Sequence, residues 1–183
     1  MPGRPKPVLV ILGTAALVVL LDQLSKRWIE RNVPLYESLV PFPALEEVFT
    51  ITHLTNTGAA FGLFRDQNIL FVAIAAVVVL SIFVYSRYLP HDKLLVQVAL
   101  GLQLGGAIGN NLFDRVRLGH VTDFIYFRRL PIINQPWPAF NVADMAIVGG
   151  VILLAYFMLT YKEPQPAIAT SEEQPGARGQ TST

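Results

Sequence analysis

The sequence contains no cysteine and few charged residues. Asp, Glu, Lys and Arg make up 15% of its 183 residues, against roughly a quarter in an ordinary soluble domain. The lack of cysteine excludes disulfides, thiolate zinc sites and a cysteine nucleophile. The net charge is +1 without a basic stripe, so nothing favours binding to nucleic acid. Hydrophobic residues make up 52% of the chain, which indicates that much of it is surrounded by lipid.

Histidine and serine are too scarce, or wrongly placed, for two common kinds of hydrolase. None of the three histidines, at 53, 91 and 120, is spaced from another histidine or an acid as zinc ligands are. The serines outside the C-terminal tail, at 25, 38, 81 and 86, are not in a nucleophile-elbow setting. We therefore expect neither a metal nor any other cofactor.

Apolar runs predict four membrane-spanning helices, since a span needs about 20 mostly apolar residues. We place them at about 8–28, 68–88, 94–113 and 142–161. The first apolar run stops at Asp22, so its helix must continue through Trp28 to cross the bilayer. A cleaved signal peptide is the alternative, but no small-x-small cleavage site follows Leu20, and we expect the helix to be retained.

The loops between the predicted helices are unequal. The segment 33–67 is long and contains a β-branched and aromatic stretch, 48–55, that predicts a strand. It therefore predicts a small β-rich structure on one membrane face. Residues 1–162 form one membrane domain in this interpretation, and the Pro-, Gln- and Ser-rich 163–183 is expected to be a disordered tail. Lysine and arginine counts on the two sides are 6 and 8, which leaves the orientation open.

Several polar residues lie where helices meet the membrane boundary. Asp22 and Lys26 are four residues apart and can pair on one helix face. Asn111 and Arg115 have the same spacing at the end of the third helix, and both should point at one neighbour. The same helix carries glycines at 101, 105 and 109, which predict close packing against another helix.

Two aspartates are the candidates for chemistry. Asn141 can cap the fourth helix with Asp144 at its third position, where the helix dipole favours an acid. Asp123 lies in an apolar, aromatic stretch that would desolvate its carboxyl group and raise its pKa. Two carboxyl groups in such different settings can separate into an acid and a base. The residues alone leave open an aspartic peptidase, a small proton-coupled carrier and a non-catalytic assembly subunit.

Five sequence blocks, in order, resemble the bacterial lipoprotein signal peptidases, also called signal peptidase II. They cover nearly the whole chain: Asp22-Gln-Leu-Ser-Lys26, Asn56-Thr-Gly-Ala-Ala-Phe-Gly62, Gly105 to Arg115, Gly119 to Phe124, and Phe140-Asn-Val-Ala-Asp144. The resemblance implies four transmembrane helices with cytoplasmic termini and an extracytoplasmic β-rich cradle in the bacterial inner membrane. It implies an aspartic endopeptidase that works among membrane lipids. We expect a monomer, although nothing in the sequence determines the oligomeric state. Its substrates would be diacylglyceryl-modified prolipoproteins, cleaved just before the lipid-modified cysteine.

The resemblance also implies the site residues. Asp123 and Asp144 match the catalytic pair, and the supporting residues are Asp22, Lys26, Asn56, Gly58, Asn111, Arg115 and Asn141. The chain departs from the family pattern at one point. Gly109 is followed by two asparagines where the family has one. We assign the family position to Asn111 rather than Asn110 because Asn111 shares a helix face with Arg115.

Overall fold

The computed structural model describes residues 6–58, 63–89 and 92–161. The predicted tail 163–183, Ala59 to Gly62 of the second sequence block, and the link at Pro90 and His91 lie outside these residues. The helices are α1 (Pro7–Asn32), α2 (Asn68–Ser86), α3 (Leu94–Ala107), a short α4 (Val116–Leu118) and α5 (Val142–Thr160). The strands are β1 (Ser38–Leu39), β2 (Phe49–Asn56) and β3 (Val121–Phe127), and a 3-10 turn spans Pro43–Leu45.

Three of these helices, α1, α2 and α5, are long and apolar enough to cross a membrane. Their outward faces carry large apolar side chains, among them Leu17, Ile74 and Ile152, each more than half exposed. Such a surface is stable next to lipid and costly next to water. The predicted third span begins as the α-helix α3 and continues without a break as a π-helix, Ile108–Arg115.

Helix α1 shows why one face of a membrane helix can be polar. Its buried residues recur every three or four positions and include Asp22 and Lys26 as well as Ile11 and Ala15. This single buried face runs the length of the helix, and Pro7 at its first turn fits a position that needs no backbone donor. The interior face of α1 is therefore apolar in its first half and carries the charged pair, Asp22 and Lys26, in its second half.

The predicted glycine packing is confirmed. A side chain at Gly101 would lie 2.8 Å from the carbonyl oxygen of Ile11, and one at Gly105 would lie 2.8 Å from that of Ala15. At Gly109 the obstacle is the carboxylate of Asp22, also at 2.8 Å. Helix α3 and its π-helical extension can therefore approach α1 closely only because these positions lack a side chain.

The three strands form one antiparallel sheet in the order β1-β2-β3. The strand predicted at 48–55 is confirmed, because β2 spans Phe49–Asn56. Asp123 lies opposite Leu54 on β2, after a register shift in that strand. Ile29 of α1 and Val33, the residue that follows this helix, pack against Phe124 of β3. This packing fixes the sheet to the end of α1.

Candidate functional site

Backbone pairing brings β3 to the start of α5. Gly119 ends α4 in the left-handed conformation, with φ of 78°, and this turns the chain into β3. Phe140 then exchanges backbone hydrogen bonds with Ile125, at 2.9 and 3.1 Å. Asp123 lies two residues before Ile125, and Asp144 lies four residues after Phe140. Both carboxyl groups are therefore close to this pairing and reach the same region.

Asn141 connects the two aspartates directly. Its side-chain amide donates to Asp123 Oδ1 at 2.7 Å. Its side-chain oxygen accepts from the Asp144 backbone N–H at 3.0 Å, and its own backbone N–H donates to Asp144 Oδ2 at 3.2 Å. The last two bonds form a capping box, so the predicted cap is confirmed. Asn141 is fully buried, which fixes its amide between the two carboxyl groups.

The Asp123 carboxyl group is buried with only neutral hydrogen-bond donors. It is 4% exposed, and Asn56 donates to its Oδ2 at 3.0 Å. Burial, and then the nearby charge of Asp144, raise the pKa of Asp123, and the bonds from Asn56 and Asn141 lower it; the net result is a pKa of about 7. The predicted effect of desolvation on this group is therefore present in the structure.

Asn110, the alternative to Asn111 at the family's asparagine position, binds the other aspartate. Its side-chain amide donates to Asp144 Oδ1 at 2.7 Å, and its oxygen accepts from Lys26 Nζ at 2.6 Å. The π-helix explains this placement, because it has more residues per turn than an α-helix and turns adjacent residues toward different neighbours. The second asparagine after Gly109 was the one sign in the sequence of this wider helical turn. Counting at α-helical spacing does not place the residues of such a turn correctly.

A buried ionic cluster lies behind Asn110. Lys26 Nζ contacts Asp22 Oδ2 at 2.8 Å, which confirms the predicted pair, and Asp114 Oδ2 at 2.6 Å. All three side chains are at most 3% exposed. Gln23 donates to Asp114 at 2.8 Å. Asp22 Oδ1 accepts the backbone N–H of Ala143 at 3.0 Å, so the cluster also ties α1 to the first turn of α5.

Arg115 joins three parts of the chain at the edge of the site. Its Nε donates to Asn111 Oδ1 at 3.2 Å, which confirms that these two residues share a face. Its two terminal nitrogens donate to Asn68 Oδ1 of α2 and to the Gly58 carbonyl oxygen. Gly58 N–H in turn donates to Asn56 Oδ1 at 2.9 Å. Arg115 is thus linked to Asp123 through Gly58 and Asn56.

The predicted residues surround one cavity of about 740 Å³. Six of the nine line it, and the other three, Asp22, Lys26 and Asn141, lie behind its wall. The lining set is Asn56, Gly58, Asn111, Arg115, Asp123 and Asp144. Asn110, the alternative that we did not choose at the family's asparagine position, also lines the cavity. Asn68 was not predicted, because it has no spacing relationship to Arg115 along the chain. Among the described residues, no group of three or more His, Asp or Glu side chains is arranged to hold a metal ion.

Known proteins resemble this chain over most of its length. The family model described as signal peptidase (SPase) II matches residues 14–160. A lipoprotein signal peptidase of Moorella thermoacetica is 45% identical over 145 residues, which cover 79% of this chain and 89% of that protein. The lipoprotein signal peptidase of Pseudomonas syringae pv. tomato is 42% identical, with coverage of 83% and 87%.

Solved structures agree with the fold. A bacterial membrane enzyme solved at 2.3 Å has a TM-score of 0.71 and 27% identity, covering 93% of this chain and 94% of its own. A second, solved at 1.9 Å, has a TM-score of 0.68 and 29% identity, with coverage of 85% and 94%. With the family match extending over most of the chain, this protein belongs to the signal peptidase II family of membrane proteases.

Proposed function

We propose that this protein is an intramembrane aspartic endopeptidase that removes the signal peptide from diacylglyceryl-modified prolipoproteins, cleaving just before the lipid-modified cysteine. Membership of the signal peptidase II family supports the activity. The observation that carries the mechanism is the position of Asp123 and Asp144. Both line one cavity, and both are hydrogen-bonded to the single buried residue Asn141.

In the proposed mechanism the two carboxyl groups share one proton. Donors from Asn110 and from the Asn141 backbone, together with the α5 dipole, stabilise the ionised form of Asp144. The raised pKa of Asp123 keeps that group protonated below about pH 7. Asp144 takes a proton from water while the water oxygen attacks the scissile carbonyl carbon, and Asp123 gives its proton to the carbonyl oxygen. As the C–N bond breaks, Asp144 gives its proton to the leaving nitrogen, and Asp123 takes a proton back from a hydroxyl group of the tetrahedral intermediate, which restores the starting protonation state.

For the membrane topology we propose four crossings: α1, α2 and α5, and in addition α3 together with its π-helical extension. Helix α3 and the extension cover 94–115, about 30 Å of helix, and 94–113 contains no charged residue. Four crossings put both termini on one side, which we propose is the cytoplasm of a bacterium with the cavity at the outer face of the inner membrane. Labelling of single cysteines introduced near each terminus, outside and inside whole cells, tests this arrangement.

We propose a monomer, since one chain supplies both aspartates.

The alternative of a proton-coupled carrier has less support. Proton-relay acids of carriers lie deep in the membrane, between helices. Here Asp123 lies on a strand, and Asp144 is the third residue of its helix. The family match also favours proteolysis over transport.

The direct test is cleavage of a lipid-modified prolipoprotein by the purified protein in detergent. The product is detected by its gel mobility, and the new N-terminus is identified by mass spectrometry. We expect cleavage immediately before the modified cysteine. Intact substrate after long incubation with folded protein would contradict the proposed function.

The pKa of Asp123 leads to a signed prediction for the pH dependence. Because the shared proton is lost as pH rises above about 7, kcat/KM should fall on the alkaline side by about tenfold per pH unit. Asn56→Ala removes a hydrogen bond that lowers the pKa of Asp123, so it should move this alkaline limb to higher pH. The pH profile of cleavage measures both effects. An alkaline limb that Asn56→Ala leaves in place or moves to lower pH would contradict the assignment.

The two adjacent asparagines should differ in their effects on cleavage. Asn110→Ala removes one bond to a carboxylate and one to an ammonium, and hydrogen bonds to charged groups are worth about 1.5–3 kcal/mol. We therefore expect kcat to fall about 10- to 100-fold or more. Asn111→Ala loses two longer contacts, both at 3.2 Å, with Arg115 and with the Ala107 carbonyl oxygen. Neither contact reaches an aspartate, so the variant should change kcat less than about tenfold. Steady-state kinetics of the two variants decide the point, and a larger loss from Asn111→Ala would show that our placement of Asn110 is incorrect.

A further inference from the structure

The cavity extends away from the aspartates along one face of α5. Met145, Val148, Gly149 and Ile152 all line it, and their spacing is that of a single helix stripe. The distance along the axis from Asp144 to Ile152 is about 12 Å. The three side chains in the stripe are more than half exposed. An apolar wall therefore runs from the carboxyl groups into the membrane-spanning part of α5 and is open on one side.

Two adjacent glycines on α5 have different surroundings. A side chain at Gly150 would lie 2.7 Å from the carbonyl oxygen of Ala99 and 2.8 Å from Gln103 Cγ. Gly150 is therefore required for packing α5 against α3. A side chain at Gly149 would meet only Leu102 Cδ1, at 4.0 Å, an ordinary contact. Helix packing does not require glycine at 149, although glycine inside a helix costs about 1 kcal/mol relative to alanine.

We propose that Gly149 is a specificity-determining residue that leaves room for an aliphatic chain of the substrate beside the scissile bond. This inference rests on the proposed function. The stripe consists of apolar side chains only, so it offers no partner to the backbone of an extended peptide, whose polar groups must be satisfied within a membrane. An acyl chain of the diacylglyceryl group has no such requirement. The second source of such an aliphatic chain is the side chain of the signal-peptide residue before the cleaved bond, which has the same chemistry when it is apolar.

Gly149→Leu tests the proposal by filling this space. With a substrate carrying dipalmitoylglyceryl cysteine, we expect kcat/KM to fall about tenfold or more, mainly through KM, as for a lost aliphatic contact in an apolar pocket. With the dibutyrylglyceryl analogue, whose chains are too short to lie along the stripe, the change should be less than about twofold. Gly149→Ala, which adds one methyl group in ordinary contact, should also lower kcat/KM for the dipalmitoylglyceryl substrate, by a smaller factor.

Gly13→Leu provides the matched control. It adds the same side chain to another membrane helix, at an exposed position with nothing within 4 Å of the new Cβ. We expect it to leave both substrates cleaved at the wild-type rate. It therefore separates loss of cavity space from a general effect of an additional leucine on folding or detergent binding.

A second substrate series distinguishes the two sources of the chain. In it the acyl groups stay constant, and the residue before the cleaved bond changes from glycine to alanine to leucine. A Gly149→Leu defect that grows with acyl length identifies the acyl chain, and one that grows with side-chain size identifies the signal peptide. Equal effects on all substrates, or no effect of either Gly149 variant, would overturn the proposal. Failure of the wild-type protein to cleave any substrate would instead overturn the proposed function.

Discussion

Asp123→Asn and Asp144→Asn are each expected to reduce the single-turnover rate constant of prolipoprotein cleavage by about 10³-fold or more. Asparagine has nearly the same shape as aspartate but can neither accept a proton from water nor donate one as a carboxylic acid. The expected loss corresponds to removal of a general acid or base from the transition state. Cleavage of a lipid-modified prolipoprotein under single-turnover conditions measures it, because slow product release then has no influence.

The two variants should remain folded. At each position the amide oxygen of asparagine can still accept one of the two hydrogen bonds that the aspartate accepts. The loss of stability should therefore be small compared with the loss of activity. Asp66→Asn makes the same chemical change at an exposed acid outside the cavity and should cleave normally. Retention of more than about a tenth of the wild-type rate by either site variant would remove that aspartate from the proposed pair.

Lys26→Met should have the largest effect on stability. Methionine has a similar length but no charge, so the substitution leaves Asp22 and Asp114 buried without their cation. Removal of one partner from a buried ionic group typically costs about 3–5 kcal/mol. For a chain of this size that corresponds to a fall in Tm of about 6–20 °C. Thermal unfolding in detergent measures the change.

Two further variants make the Lys26 prediction specific to charge burial. Arg27→Met removes an exposed positive charge from the next position on the same helix, and its Tm should be close to wild type. Adding Asp114→Asn to Lys26→Met removes one of the two stranded carboxyl groups, so part of the lost Tm should return. A Lys26→Met protein as stable as Arg27→Met would show that the cluster does not stabilise the fold.

The sequence was sufficient for features that depend on neighbours within one turn or one strand. The period of a helix places Asp22 beside Lys26 and Asn111 beside Arg115, and both contacts are present. The capping box at Asn141 follows from its spacing to Asp144. β-branched and aromatic residues identified β2 to within one residue at each end. Each of these depends on local geometry that all helices and strands share.

The sequence was not sufficient where regular geometry stops. Counting at α-helical spacing selected Asn111, whereas the π-helix turns Asn110 toward Asp144 and Lys26. Asn68 and Arg115 are 47 positions apart, and no spacing rule connects them. The two glycines at 149 and 150 look equivalent in the sequence, and only their distances to α3 separate one that packs from one that opens the cavity.

By itself the sequence determined the apolar helices, the strand, the two candidate aspartates and the resemblance to signal peptidase II. The tertiary structure alone decided which polar groups meet. Hydrophobic periodicity fixes which face of a helix is buried, but it contains no information on the partner that covers that face. That information comes from long-range contacts, here the pairing of Ile125 with Phe140 and the close approach of α3 to α1 and α5. These contacts bring Asp123 and Asp144 to one cavity, with Asn141 behind its wall.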